Sequence, residues 1–366
     1  MNVLYLSNIP SPYMVNYLNE LGKLCDLTVV FEKKSSSERG GRWNNYIFKS
    51  FKGVILNGIS TGVDSSLSLG VLKYINNHKK SVIFVTNPST PTGILAILYM
   101  KFRRIPFILE SEGGFAKNGK SLKEWFKKYL MRKAEYYFST NKIGDEYFLK
   151  YGATEDKLIK YPFTSLFKKD LRTSRTIEEQ IALRIKYGIK GSKTAVAVGR
   201  FIKLKNFEWL IREWARLDKD FYLYLIGEGE EKNNYIRTIR SKNLSNIVIL
   251  DFMESNELLE ILGSFDLLIH PTLSDVWGLV VNEALSQGVP VITTPMCIAG
   301  NELIKDNYNG FVMKPDENMI NRISCLLRDS HKLQEMSKNS IESIKLYTFE
   351  QMANIHIDEI LKWEKK

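Results

Sequence analysis

Cysteine is nearly missing from this chain: Cys25, Cys297 and Cys325 are the whole supply in 366 residues. Three scattered thiols make neither a metal-binding spacing nor a disulfide framework, which argues against a zinc scaffold and against an oxidised one. A reducing, cytoplasmic setting is the expectation. Histidine is as scarce, at four residues. His78 lies among lysines, His331 and His356 fall in a helical-looking C-terminal region, and His270 closes an apolar run. No metal cluster and no Ser/His/Asp order of the hydrolase kind emerges from them. No apolar run approaches the roughly 18 residues of a membrane-spanning helix; the longest candidate is Gly93 to Met100. Met1 to Leu6 runs straight into a strand-like segment without a charged region or cleavage signal, so no export signal is expected. Internal repeats are absent. So is the G-x-G-x-x-G fingerprint after the first strand, which argues against a dinucleotide there.

What is present describes a soluble globular chain, 44% hydrophobic and 25% charged, long enough for two domains. The net charge of +11 is unevenly placed. Residues 1–172 hold 27 Lys and Arg against 14 Asp and Glu, whereas the rest holds 25 against 27. A basic first half favours an anionic partner such as a membrane surface or nucleic acid. Val3 to Leu6, the loop to Pro12, an amphipathic stretch to Leu24 and Leu27 to Phe31 read as strand, loop, helix and strand. That order predicts a parallel sheet with its ligand loops at the carboxyl ends of the strands. Ser35 to Asn45 reads as a polar loop near that ligand-binding side. Phe107 to Leu109 reads as a strand that delivers Glu110, Ser111, Glu112, Gly113 and Gly114 to a loop. The polar stretch 165–190 reads as an interdomain linker. Domains are therefore expected at 1–170 and 171–345, with a largely helical tail at 346–366.

The second half is organised around His270 to Ile292, HPTLSDVWGLVVNEALSQGVPVI. It follows the apolar run Leu267-Leu268-Ile269, a buried strand by its pattern. Pro271 and Ser274 make a turn, Gly278 to Leu285 a helix, and Gly288-Val289-Pro290 stops that helix before the strand Val291-Ile292-Thr293. The N–H groups at the start of such a helix suit a phosphate or a polarised sugar, and Glu283 one turn further in can accept hydrogen bonds from paired hydroxyls. Earlier, the strand Thr194 to Val198 leads to Gly199, Arg200 and Lys205 just before a helix at Phe207. Two cations there can neutralise a diphosphate leaving group without a metal.

The spacing of Asp275, Gly278, Leu279, Glu283, Ala284, Gly288, Pro290 and Val291 resembles the E-x7-E motif of retaining nucleotide-sugar glycosyltransferases with the GT-B fold, family 4. The first carboxylate of the motif is here Asp275, shorter by one carbon–carbon bond of about 1.5 Å. The opening SNIPSPYMVNYLNELGK resembles polysaccharide-cluster members of the same family, a weaker likeness. The resemblance implies an α/β chain of two Rossmann-like domains facing across a cleft, an N-terminal acceptor-binding domain and a C-terminal nucleotide-sugar-binding one. It implies that the C-terminal helix crosses back to the first domain. By the same resemblance Glu283 binds the ribose of the donor and Arg200 and Lys205 hold its diphosphate, helped by backbone N–H groups at Gly278, Leu279 and Val280. Gly227 and Met253, at the ends of two further strands, contact the nucleotide through backbone groups. Asp275 lies near the sugar ring, and Glu112 faces the acceptor where many relatives carry a histidine. The implied reaction moves a sugar, from a UDP-sugar by expectation, to an acceptor with retention of configuration. No cofactor or metal is implied beyond the donor.

Lys120 to Lys133, KSLKEWFKKYLMRK, gathers Leu122, Trp125, Phe126, Tyr129 and Leu130 on one helical face with six cations around them. Such a helix lies in a membrane interface, where each cation near anionic lipid adds about 1 kcal/mol; alternatively its apolar face packs inside the first domain. The membrane reading predicts a lipid-linked acceptor, hence capsule, O-antigen or other surface-polysaccharide assembly at the inner face of the cell membrane. The aromatics sit apart from the cations instead of alternating with them, which argues against nucleic acid. Two rival readings are a GT-B nucleotide-sugar epimerase and a non-enzymatic sugar- or nucleic-acid-binding protein.

Overall fold

A computed structural model describes residues 1–36, 46–115 and 121–364. Most of the loop expected at Ser35 to Asn45, and Lys120 of the basic stretch, lie outside the described residues. The chain divides into two compact units, Met1–Thr164 with Thr348–Lys366, and Ser165–Tyr347.

The first unit is built on β1 (Asn2–Ser7), β2 (Asp26–Phe31), β3 (Lys52–Ile55), β6 (Val82–Val85), β7 (Ile108–Glu110), β8 (Tyr137–Ser139) and β9 (Leu158–Lys160), with the short hairpin β4 (Ile59–Ser60) and β5 (Ser66–Leu67) beside them. The seven strands pair in parallel in the order β3-β2-β1-β6-β7-β8-β9. Both faces are covered, so the inner strands read as unbroken apolar runs: Val3 to Leu6 and Val82 to Val85 are all buried. Helices α1 (Pro12–Leu21), α2 (Val71–Asn77), α3 (Pro91–Arg103), α4 (Leu122–Met131) and α5 (Lys142–Lys150) make the crossovers. The order reverses between β1 and β6, and the carboxyl ends of the strands at such a reversal leave a crevice between diverging loops.

The second unit repeats the plan. Strands β10 (Lys193–Val198), β11 (Phe221–Ile226), β12 (Ile247–Leu250), β13 (Leu267–His270), β14 (Val291–Thr293) and β15 (Gly310–Val312) pair in the order β12-β11-β10-β13-β14-β15. Its helices are α6 (Ile177–Tyr187), α7 (Phe207–Trp214), α8 (Lys232–Ser241), α9 (Ser255–Leu262), α10 (Leu279–Ser286), α11 (Ile298–Leu303), α12 (Glu317–Arg328) and α13 (Ser330–Ile344). Phe201, Phe207, Trp214, Leu223 and Ile269 belong to the core between sheet and helices. The reversal here falls between β10 and β13, the strands that carry Gly199-Arg200 and His270 at their carboxyl ends. The last helix, α14 (Phe349–Glu364), belongs to the first unit and packs against α1.

Two local expectations differ from what folds. The stretch 165–190 is not a loose connector. Arg172 donates to Gln287 Oε1 at 2.8 Å, and Arg175 donates to the carbonyls of Gly263, Phe265 and Gly288. Arg175 is therefore spent on the carbonyls just after neighbouring helices while lysines such as Lys168 and Lys169 stay exposed, and α6 is closed at its start by a Thr176–Glu179 capping box. The face of α4 also behaves differently: Leu130 and Met131 are buried, but Leu122 is 86% exposed and Trp125 67%. The packing alternative holds only for the C-terminal end of that helix, at Leu130 and Met131.

Candidate active site

All but one of the residues expected around a donor lie in the second unit, on loops from the carboxyl edge of its sheet. β13 ends in His270, wholly buried, and the chain then turns through Pro271 to Asp275. Asp275 is fixed by its own backbone, its N–H donating to Met296 O at 2.9 Å. Its Oδ2 receives Lys205 Nζ at 2.5 Å and His270 Nε2 at 2.9 Å. A carboxylate only accepts, so Nε2 carries the hydrogen and Nδ1 is left as a buried lone pair without a partner. Burial works against the charged form of Asp275, but the bond from His270 and the charge of Lys205 outweigh it and hold the carboxyl well below its ordinary range. His270 is pulled down, by burial first, and so stays neutral. The result is a fixed ammonium–carboxylate pair braced by a neutral imidazole at the sheet's reversal point.

Lys205 ends a single tight turn, Lys203–Lys205, in the loop after β10. Its stem runs over Gly199, whose missing side chain would stand 3.6 Å from Lys205 Cε. Gly227, at the end of β11, packs on the same place: a Cβ there would meet Gly199 O at 2.1 Å, so the loops after β10 and β11 approach this closely only because residue 227 is glycine. Arg200 follows on the exposed side of that loop. Met253 sits after the edge strand β12, half-buried.

Gly278 is the N-cap of α10 with φ 102°, a conformation that disfavours any side chain, and a Cβ there would meet Cys297 Sγ at 2.7 Å. No side chain caps this end. The first N–H groups of a helix have no partner within it, so Leu279 and Val280 lie in the turn that is able to receive an anion. Glu283 follows one turn later. Its Oε1 accepts from Ser165 Oγ at 2.9 Å, and burial raises its pKa against that bond. A half-buried carboxylate held by one hydroxyl has acceptor capacity left for another.

Sequence reasoning missed two of these partners. Ser165 is far from Glu283 in the chain and no local pattern announces it. Cys297 underlies Gly278, and burial pushes its thiol up to about 12, a structural sulfur and not a nucleophile. His270, which closes the apolar run before the turn, braces Asp275.

Glu112 is the exception, since it belongs to the first unit. It follows β7, and both its oxygens lie 3.0 Å from the hydroxyl of Tyr13, at the start of α1. Burial pushes its carboxyl up to about 7, the Tyr13 bond opposes this, and the charge of Glu110 adds to it. Among the described residues no group of three or more His, Cys, Asp or Glu is placed to hold a metal, and no helix is long and apolar enough to cross a membrane.

Residues 179–343 match the family model described as Glycosyl transferases group 1. An uncharacterized glycosyltransferase of Methanocaldococcus jannaschii is 27% identical over 216 residues, 57% of this chain and 61% of that protein. The N-acetylgalactosamine-N,N'-diacetylbacillosaminyl-diphospho-undecaprenol 4-alpha-N-acetylgalactosaminyltransferase of Campylobacter jejuni is 28% identical over 167 residues, 45% of this chain and 43% of its own length. The chain thus spans about half the length of these curated relatives. Among solved structures, HepE of Anabaena in complex with UDP superposes with a TM-score of 0.79 at 16% identity, over 99% of this chain and all of the other. The fold is GT-B, two Rossmann-like halves with parallel sheets. Together the matches support a transferase enzyme, of the glycosyltransferase kind.

Proposed function

We propose that the protein transfers a sugar from a nucleotide-sugar, a UDP-sugar, to a lipid-linked acceptor in surface-polysaccharide assembly, with retention of configuration. The observation that carries this is the Lys205–Asp275–His270 constellation at the reversal between β10 and β13, beside the uncapped start of α10. Lys205 and Arg200 take the diphosphate. Their charge and the α10 N–H groups meet the negative charge that grows on the leaving phosphate, which lowers the barrier without a metal. Glu283 accepts the ribose hydroxyls. Asp275, held ionised, accepts hydroxyls of the sugar or stabilises positive charge at the reacting carbon. In the family that the motif resembles, the leaving phosphate deprotonates the acceptor on the same face. Glu112, half protonated near neutrality, then orients the acceptor hydroxyl. The UDP bound by the Anabaena protein supports the choice of base, and the diphospho-undecaprenol in the name of the Campylobacter relative supports the lipid.

The surface of the first unit supports a lipid-borne acceptor as well. Leu122 and Trp125 stand out on α4, and Phe102, 83% exposed, stands out at the end of α3. The two helices are joined where Lys101 donates to Tyr129 O and lies 4.7 Å over its ring. Burial, then the charges of Arg132 and Lys133, push Lys101 down to about 8. Crowded cations beside exposed aromatic and aliphatic side chains are what an anionic lipid surface relieves. A thermal-shift panel of UDP, GDP and ADP with their sugars, on wild type and Glu283→Ala, tests the donor reading. A rise with one nucleotide class that the variant loses supports it, and no rise with any of them refutes it.

A further inference from the structure

Behind the loop that carries Glu112 lies a buried polar group that the transfer chemistry does not use. Glu110, the last residue of β7, is 2% exposed and stands two residues before Glu112. Tyr5 of β1 donates its hydroxyl to Glu110 Oε2. His356, wholly buried on α14, presents Nε2 to the same oxygen at 3.6 Å. The imidazole is boxed by the rings of Phe138, Tyr161, Tyr17 and Phe84, at centroid distances of 4.7, 4.9, 5.3 and 5.8 Å. The other edge of the ring fixes its protonation. Nδ1 lies 2.8 Å from Met352 O, and a carbonyl only accepts, so Nδ1 carries a hydrogen. Nε2 of a neutral ring is then a bare lone pair. It has no hydrogen-bond partner and faces carboxylate lone pairs inside an aromatic box. That arrangement is repulsive. A proton on Nε2 turns it into an imidazolium–carboxylate pair.

Every other titratable group around Glu110 leaves that role to His356. Tyr5, Tyr17 and Tyr161 are raised well above the phenol range, by burial first and by the charge of Glu110 next, so they remain neutral. Glu112 is itself acidic. Among the described residues His356 is the only basic side chain within salt-bridge distance of Glu110. The stretch from Glu110 to Glu112 is clamped besides: Ser111 N–H donates to Phe138 O at 3.0 Å, Tyr161 donates to Ser111 O at 3.3 Å, and Thr140 donates to Glu112 O at 3.2 Å. A change of charge at Glu110 therefore reaches Glu112 through a fixed geometry.

We propose that His356 is a positioning residue of the acceptor side, which holds Glu110 as an ion pair and so balances the charge beside Glu112, making the C-terminal helix a working part of that site. The proposal rests on the reading of Glu112 as the acceptor-side carboxylate, but its test does not. The full chain is labelled with carboxyl-13C glutamate and titrated by NMR, with Glu112→Gln to assign the Glu112 signal. Glu110→Gln removes the nearby negative charge and moves the Glu112 midpoint to lower pH. His356→Gln removes the balancing positive charge and moves it to higher pH, each by about half a unit or more. A merely structural role does not produce opposite shifts. Should His356→Gln fail to fold, the wild type still decides: the ring 15N signals of His356 in the folded chain show a hydrogen on each nitrogen. A bare Nε2 overturns the proposal, as does a Glu112 midpoint that Glu110→Gln leaves in place. If the shifts appear while Glu112→Gln keeps full transferase activity, the pair stands and the acceptor role of Glu112 falls.

Discussion

Glu283→Gln separates the needs of folding from those of binding. In the wild type the carboxylate is buried, accepts one bond from Ser165 Oγ, and has its pKa raised, by burial first. A folded pKa above the unfolded one means that the folded state binds the proton more tightly. The penalty is absent below the unfolded value of about 4.3, grows as pH rises through the folded pKa, and is then constant. Gln keeps the shape and the oxygen that Ser165 uses but never ionises. The ligand-free variant should therefore be more stable than wild type at pH 7, and the gain should vanish near about pH 4. Binding should move the other way. UDP at about a hundred times its dissociation constant adds roughly 2.7 kcal/mol to wild type, a Tm rise of about 5–10 °C for a unit of this size. Losing a charge-assisted bond to a ribose hydroxyl costs about 1.5–3 kcal/mol of affinity. The same UDP concentration should then add only about 0.3–1.3 kcal/mol to the variant. Thermal melts with and without UDP, at several pH values, read both effects. A variant that is less stable than wild type without ligand, or that responds fully to UDP, refutes the reasoning.

The Lys205–Asp275 pair predicts strong coupling. Lys205→Met alone leaves Asp275 with His270 only, and the double variant with Asp275→Asn should be less destabilised than the two single losses summed, by about 1–3 kcal/mol in urea unfolding. Gly278→Ala forces a side chain into a φ of 102° against Cys297 and should lower stability by about 1–3 kcal/mol while also weakening the UDP response. Lys123, Lys127 and Lys128 changed together to Glu should abolish sedimentation with anionic vesicles at low salt; binding that survives the change refutes the membrane reading. Leu122→Ser with Trp125→Ser should weaken the same binding at high salt, where screening leaves the apolar contact to carry it.

How much of this was legible in the sequence follows from the range of each interaction. The turn and helix at Asp275 to Glu283 were readable because glycine, carboxylate and proline sit at fixed local offsets, and a conformation such as that of Gly278 announces itself as glycine. The two parallel sheets followed from apolar runs alternating with amphipathic stretches. Contacts between distant segments were not readable. Ser165 reaches Glu283 across 118 positions and Tyr5 reaches Glu110 across 105, and neither serine nor tyrosine carries a signal of its destination. The stretch 165–190 misled because arginine looks like solvent whether it faces water or fills the carbonyl ends of helices. His356 misled for a related reason: a lone histidine in an amphipathic helix says nothing of the carboxylate it will meet.

The charge asymmetry of the chain sharpens once its residues have places. The first half is the basic one, yet the group at the carboxyl edge of its sheet is acidic, with Glu110 and Glu112 on one loop. Its cations crowd elsewhere: Lys101, Arg103, Arg104, Lys123, Lys127, Lys128, Arg132 and Lys133 all belong to α3, α4 and the residues just after them. The second half carries slightly more acid than base, yet Arg200 and Lys205 stand at its sheet reversal. A phosphate-bearing donor suits the cations of the second unit, and an acceptor that offers hydroxyls suits the carboxylates of the first. The basic surface of the first unit is then left over from the chemistry, and a surface charge with no part in catalysis needs another partner. Under the proposed function that partner is a lipid surface: Phe102, Leu122 and Trp125 are exposed among those cations, and a polyanion in water gives an aliphatic side chain such as Leu122 nothing to enter.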